Sequence, residues 1–297
     1  MNVENQVYFE TYEAVKRFRP ARLRVLLRNV ALAGLSLIDR VRGNEEALRR
    51  NRIQFLYIHH VFKDEEERLD ALLNRLSKDH YFISYSESVE KILRREIDKP
   101  YICISSDDGF KHNIRAAEIL SWYGAKACFF INPSVIGEAR FDRVSTFCWK
   151  KLHFPPVEFL TWNDVEKLIE MGHEVGSHTM EHMDLGEASV EAIQADMQSC
   201  HAILMSRCGM AKHFAFPYGR FGNFSDAARN AVFNAGFTSC ATAERGCHIN
   251  HNVEISRNEL CILRDHVILN WDINHILYFI SSNARRASVD SNYFPYR

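Results

Sequence analysis

The chain has 297 residues, 46% of them hydrophobic, and a formal net charge of −1. That length and apolar content suit a soluble globular protein with a sizeable core, and the near-zero charge gives no case for nucleic acid as the main partner. No run of about 18 uncharged apolar residues occurs, which excludes an obvious transmembrane helix, and no stretch reads as a signal peptide.

The first 52 residues differ from the rest. Between Lys16 and Arg52 lie eleven Lys or Arg and three acids, Asp39, Glu45 and Glu46, with leucine and valine threaded through "RLRVLLRNVALAGLSLIDRVRG". This is a basic, amphipathic helical pattern. It suits a helix lying on an anionic membrane surface, or one packing its apolar face on the main domain. Residues 1–52 are therefore read as an N-terminal helical extension, 53–275 as the catalytic domain and 276–297 as a C-terminal tail whose end is poorly ordered.

From residue 53 the pattern alternates. "IQFLYIHHV" reads as a buried strand and "DEEERLDALLNRLSKD" as an amphipathic helix with acids in its first turn. "YICISS" is a strand, "NIRAAEILSWYG" a helix closed by Gly124, and "KACFFIN" a strand. The segment 137–158 lacks periodicity and reads as an inserted loop. "TWNDVEKLIEMG" is a helix with Thr161 as N-cap, followed by the strand "HEVGSH", the helix "SVEAIQADMQSCHAILMSR", the strand "HFAFP", the helix "SDAARNAVFNAG" and the strand "FTSCA". "VEISRNELCIL" supplies one more strand. Strands separated by helices imply a parallel sheet with right-handed crossovers, and six or seven such units close most economically as a barrel.

In parallel α/β folds the chemistry gathers at the carboxyl ends of the strands. Three strand ends deliver polar residues there: Asp107 and Asp108 after "YICISS", His178 after "HEVGS", and "PYG" (217–219) after "HFAF". His178 and His182 stand four apart. If the backbone turns helically after the strand, both imidazoles face one way, as metal ligation needs. Two imidazoles and one carboxylate make an open site for a divalent metal. One aspartate then serves as ligand and the other as base, taking a proton from the water that the metal activates. The two like charges become tolerable beside a cation.

These residues carry a family resemblance. "SSDDGF", "HTMEH" and "FAFPYG", in this order and spacing, resemble the polysaccharide deacetylases, the carbohydrate esterase family with the NodB homology domain; "YIHHV" and "FKHNIRAAEILSWYGAKACFFIN" resemble the same domain. The likeness covers roughly residues 53–265. It implies an α/β fold, a distorted (β/α) barrel, and metal-dependent removal of an N-acetyl or other N-acyl group from an amino sugar. It further implies Asp107 as general base, Asp108, His178 and His182 as metal ligands, and Tyr218 lining the acetate pocket, its backbone N–H helping to hold the oxyanion. Pro217 belongs to the same substrate-binding turn. Arg257 in "EISRNEL" resembles a basic position of one branch and is assigned to substrate binding.

The chain also departs from the family pattern. Ser106 stands where phenylalanine is common. Only Lys212 and His213 stand where an arginine often holds the base. The late histidine motif that supplies a general acid has no clear match, His266 being the nearest histidine. These departures motivate a rival reading, a catalytically silent relative that binds a glycan or partner protein through the same cleft. His59 and His60 reach the rim or pack beneath it. "CHINH" (247–251) is read as a loop without metal. Eight scattered cysteines with no CxxC pair read as reduced thiols. The resulting expectation is a cytoplasmic hydrolase, peripheral to the inner membrane face, that uses Zn2+ (with Co2+, Ni2+ or Mn2+ as fitting substitutes) on an N-acetylated sugar that is free, nucleotide-linked or lipid-linked.

Overall fold

Strand β1 (Arg52–Ile58) opens a parallel sheet and is buried along its whole length. It is followed by β2 (Tyr81–Phe82), β3 (Pro100–Ser106), β4 (Ala127–Ile131), β5 (Glu174–Ser177), β6 (His213–Ala215), β7 (Ser239–Ala241), β8 (Cys261–Ile262) and β9 (Arg264–His266). The computed structural model describes residues 7–18, 22–287 and 293–294. The order across the sheet is β8-β7-β6-β5-β4-β3-β1-β9, with β2 paired to the lower part of β3. β8 pairs with β7, and β9, one residue further along the chain, pairs with β1 at the opposite end of the sheet. The single segment Cys261–His266 thus bridges the two edges and nearly closes an eight-stranded parallel barrel, as expected from the βα alternation.

Strand alternation sorts the side chains into two cores. Leu56, Ile58, Ile102, Ile104 and Phe129 face outward and pack under the helices. Ile53, Phe55, Tyr101, Cys103, Cys128 and Phe130 face inward and fill the barrel. The same parity continues past the strand ends. Ser105 and Asp107 extend the inward row of β3, Tyr57 and His59 that of β1, and Arg264 lies directly beside Phe55 in the register of β9 on β1.

Thr161 caps the helix Trp162–Glu170 with a reciprocal Asp164 contact. Several elements differ from the sequence reading. The segment 137–158 contains the helix Phe141–Phe147, continued by a π-helical turn Cys148–Leu152. Its apolar positions pack on Phe110 and Phe159 rather than on the main core, which breaks the expected periodicity. The helix Tyr85–Arg94 was not anticipated; it buries Tyr85, Val89 and Ile92 under the barrel. The helix Ile273–Arg286 runs through the supposed domain end at 275 and replaces a poorly ordered tail as far as Arg286. Residues 288–292 and 295–297 of that tail lie outside the described residues.

Ahead of the barrel stands the helix Arg22–Val41. It packs along Ile273–Arg286, where Asp39 accepts from Ser281 Oγ at 2.6 Å and pairs with Arg285. No helix among the described residues is long and apolar enough to cross a membrane.

Candidate metal centre

The carboxyl ends of β1, β3, β5, β6 and β9 border a cleft of about 280 Å3, lined by Tyr57, Asp107, Asp108, His178, His182 and Arg264 among others. Parity brings Asp107 to its floor. Asp108, one residue on, takes a left-handed backbone (φ 72°), and Gly109 follows at φ 74°. A Cβ on Gly109 would press to 3.1 Å on Ile131, so the tight turn that presents both carboxylates needs glycine there. The backbone after β5 is a turn rather than the helical turn expected for the H-x3-H pair: Thr179 (φ 64°) and His182 (φ 53°) are both left-handed. Four non-glycine residues held at positive φ in one site are a concentration of backbone strain that the surrounding structure must enforce, Tyr218 (φ 62°) being the fourth.

That enforcement is visible around the histidine loop. Asn132 donates through Nδ2 to Thr179 O at 3.0 Å and also to His178 O. Asp196 accepts the Met180 N–H at 3.1 Å on each oxygen, and Thr179 Oγ1 accepts from Met183 N at 2.8 Å. His178 donates from Nδ1 to Ala215 O at 2.7 Å, which turns its Nε2 toward Asp108.

Asp108 Oδ1 lies 3.6 Å from His178 Nε2 and 3.8 Å from His182 Nε2, and the three donor atoms lie within 4.8 Å of one another. Asp108 Oδ1 is buried without a hydrogen-bond partner. Burial, then the neighbouring Asp107, pushes the Asp108 carboxyl well above its usual range. Burial also lowers both imidazoles, keeping them neutral and able to act as ligands. A carboxylate oxygen with no proton donor, facing two neutral imidazoles, fits a divalent cation. Asp108, His178 and His182 are the residues that would hold it.

Asp107 is held differently. Arg264, fully buried, grips both its oxygens, Nη1 to Oδ1 at 2.7 Å and Nη2 to Oδ2 at 2.9 Å. Arg264 also donates from Nε to Thr242 O (2.9 Å) and from Nη1 to Ser105 Oγ (3.2 Å), and its guanidinium lies 4.5 Å from the centre of the Tyr57 ring. Burial alone would raise the Asp107 carboxyl, but the Arg264 charge overrides it and brings it to about 2. The arginine that appeared to be missing from the sequence is therefore present, supplied by β9 rather than from beside "FAFPYG". His213, which stands nearer that motif, points to the lower interior, where it meets Glu174 Oε2 at 3.0 Å and Ser239 Oγ at 2.8 Å. Ser106 is buried and donates to His59 O at 3.2 Å.

Tyr218 places its ring 4.8 Å from that of His182 at the cleft wall, beside the buried Pro217. A Cβ on Gly219 would fall 2.3 Å from Ala243 Cβ, so this turn can pack only with glycine. Arg257 is not brought to the cleft. It precedes β8, at the amino end of the barrel, and pairs there with Glu90 at 2.5 Å. His266 does reach the cleft, stacked on Tyr57 at 4.8 Å and edge-on to His59 at 4.9 Å. Burial holds His59 down at about 4 and His266 well below its ordinary value. His60 lines the cleft while pairing with Glu65 at 3.1 Å. Leu152, His153 and Phe154 from the 137–158 segment form one wall of the cleft, a contribution that its lack of periodicity concealed. Near "CHINH", Cys247 and His248 bond elsewhere, to Asn283 O and Leu263 N. Among the described residues, Asp108, His178 and His182 form the one cluster suited to a metal.

A nearly closed parallel barrel with a three-donor pocket beside an arginine-held carboxylate at its carboxyl rim defines the class: a (β/α) barrel with a candidate metal site. Residues 94–240 match the family model described as polysaccharide deacetylase, and the chain belongs to that family. Solved structures agree on the fold. The Streptococcus pyogenes deacetylase PplD, solved in complex with acetate, superposes with a TM-score of 0.61 at 18% identity, over 77% of this chain and 98% of that one. IcaB from Ammonifex degensii superposes at 0.59 and 16% identity, over 78% and 98%. The BpsB deacetylase domain from Bordetella bronchiseptica superposes at 0.56 and 16%, over 74% and 96%.

Proposed function

We propose that this protein is a metal-dependent N-deacetylase acting on an amino sugar of a glycan or glycan precursor, with the barrel as the catalytic unit. The observation that carries the reading is the pairing of two differently held carboxylates, Asp107 locked by Arg264 and Asp108 turned toward His178 and His182. A divalent cation held by that triad supplies Lewis-acid polarisation of an amide carbonyl and activation of water; Zn2+ is the choice that two imidazoles and one carboxylate suit best.

The chain's own residues take the remaining roles. Asp107 is ionised throughout the working range and fixed in orientation, so it accepts a proton at a set position. Its pairing with Arg264 weakens it as a base, and proximity must offset that loss. Tyr218 and the backbone N–H beside it border the place for the acyl group. Of the imidazoles that line the cleft, His59 and His266 pack edge-on together near Asp107, and they can pass a proton to a leaving nitrogen. The silent-binder reading drew on the apparent lack of an arginine and on an unassigned general acid, and Arg264 removes the first of these reasons. The sugar is free, nucleotide-linked or lipid-linked, and the eight free thiols, seven of them buried, suit a reducing cytoplasmic setting.

The test is metal content measured alongside acetate release. Stripped and reloaded protein is assayed on free, nucleotide-linked and lipid-linked N-acetyl sugars, with Asp107→Asn and His178→Ala as controls. Metal-dependent release abolished by both changes supports the reading; stoichiometric metal without release on any substrate sinks it.

A further inference from the structure

The helix Arg22–Val41 is built inside out. At about 100° per residue, Leu32, Ser36 and Asp39 share the stripe that packs on Ile273–Arg286, and all three are buried. A serine and an aspartate thus occupy the inner face. The opposite face carries Leu26, Leu27, Val30, Leu37, Ile38 and Val41, between 48% and 80% exposed, and no charged residue lies among them on that arc. Arg40 and Arg42, both exposed, flank it. A water-facing helix of a globular protein shows the reverse distribution.

Contacts tie the helix and the segment ahead of it to elements beside the mouth of the cleft. Arg28 lies 4.9 Å over the ring of Trp271, just after the Val267–Leu269 stretch that lines the cleft. Phe18, 53% exposed, meets the exposed Trp149 at 6.0 Å, and Trp149 belongs to the segment whose Leu152 and Phe154 form the cleft wall. In sequence, residues 16–52 carry eleven basic and three acidic side chains, a net +8 in a chain of net −1; Arg52 is buried in β1 and Arg49 and Arg50 bond to Asp79 and Ala284 O, while Arg40 and Arg42 stand exposed beside the apolar face.

We propose that this outward face, with Phe18 and Trp149 at its cleft end, seats the protein on an anionic lipid surface. Leucines and valines enter the headgroup boundary, the flanking arginines meet lipid phosphates, and the aromatic pair lies at interfacial depth. The helix is too polar along its inner stripe to span a bilayer, so the protein lies on the surface. A second copy is the poorer occupant, because an isologous contact would bring the flanking arginines of two copies, Arg40 and Arg42, together. The seat places the cleft mouth beside the bilayer. It therefore deepens the deacetylase reading toward a lipid-linked amino sugar, and only that last step rests on the deacetylase reading.

The test is flotation of the full chain with vesicles of phosphatidylcholine alone and of phosphatidylcholine with phosphatidylglycerol, alongside size-exclusion chromatography. The expected result is flotation with the anionic vesicles, weakened by salt, and cut about tenfold or more by Val30→Asp with Leu37→Asp and by Arg40→Glu with Arg42→Glu. Asp107→Asn should float like the parent. Absence of flotation with anionic vesicles, or variants that float unchanged, overturns the proposal; so does a dimer that the Val30/Leu37 change dissolves. Flotation without acetate release on any substrate would sink the deacetylase alone, and acetate release without flotation would sink the lipid seat alone.

Discussion

Arg264 reaches Asp107 across the barrel interior with both guanidinium Nη atoms, at 2.7 and 2.9 Å, from a strand 157 residues away in sequence. Both partners are buried, so each charge depends on the other for its solvation. Removing one side of such a pair costs about 3–5 kcal/mol, because the remaining charge is stranded. Arg264→Met should therefore lower stability by that order and abolish acetate release. Arg264→Lys, which cannot make the bidentate contact, should fold better yet lose most activity. Thermal melts alongside turnover separate the two effects; a fully active Arg264→Met protein would remove Arg264 from the site's function.

Asp108, His178 and His182 make a second prediction. Ligands that bind only the folded state raise its stability by mass action, about 2.7 kcal/mol at a hundredfold excess over Kd. Chelation should lower Tm by several degrees, and readdition of Zn2+ should restore it. His178→Ala and His182→Ala should melt at a temperature that neither treatment moves, as read by calorimetry and by metal analysis.

Gly176 lies on β5 beneath His178, and a Cβ there would fall 2.5 Å from the Phe130 ring and 2.8 Å from His213 O. The backbone oxygen cannot move away as a flexible side chain could. Gly176→Ala should cost about 1–3 kcal/mol of overpacking strain and displace His178, lowering metal affinity as well. Gly176→Ala with Phe130→Leu should recover part of the stability, measured by denaturant titration.

His173 gives a pH dependence away from the site. Its Nδ1 accepts the Ala127 N–H at 3.0 Å and its Nε2 donates to Ala117 O at 3.2 Å, an arrangement open only to the neutral ring. Burial is the main cause that lowers it to about 4. The unfolded chain therefore takes up this proton first. The stabilisation is fully present above about pH 6.5 and falls away as the pH drops toward 4, by at most about 3 kcal/mol. His173→Gln should be less stable at neutral pH and show a shallower loss over that interval.

Asp107, Asp108, His178, His182 and Tyr218 could be read from the chain because their motifs are local: two carboxylates and a glycine at one strand end, two histidines four apart at another, a Pro-Tyr-Gly turn at a third. The barrel was legible for a similar reason, since strand and helix periods are set over ten or so residues and their alternation leaves few topologies. Arg264 was not legible from its motif, because the family pattern places the arginine beside "FAFPYG" and the sequence reading ended its last strand at Leu263. Once β9 pairs with β1, the two-residue alternation puts Arg264 and His266 on the inward face with Tyr57 and Asp107. That register is a long-range contact, and no local propensity encodes it. Arg257, assigned to the site by likeness, lies exposed at the opposite end of the barrel, as its place before β8 requires. The helix Arg22–Val41 shows the same division. Its amphipathic composition is evident in the chain, but only packing against Ile273–Arg286 decides that Ser36 and Asp39 turn inward and the leucines face out, because Ser281 and Arg285 supply the partners that a buried aspartate needs.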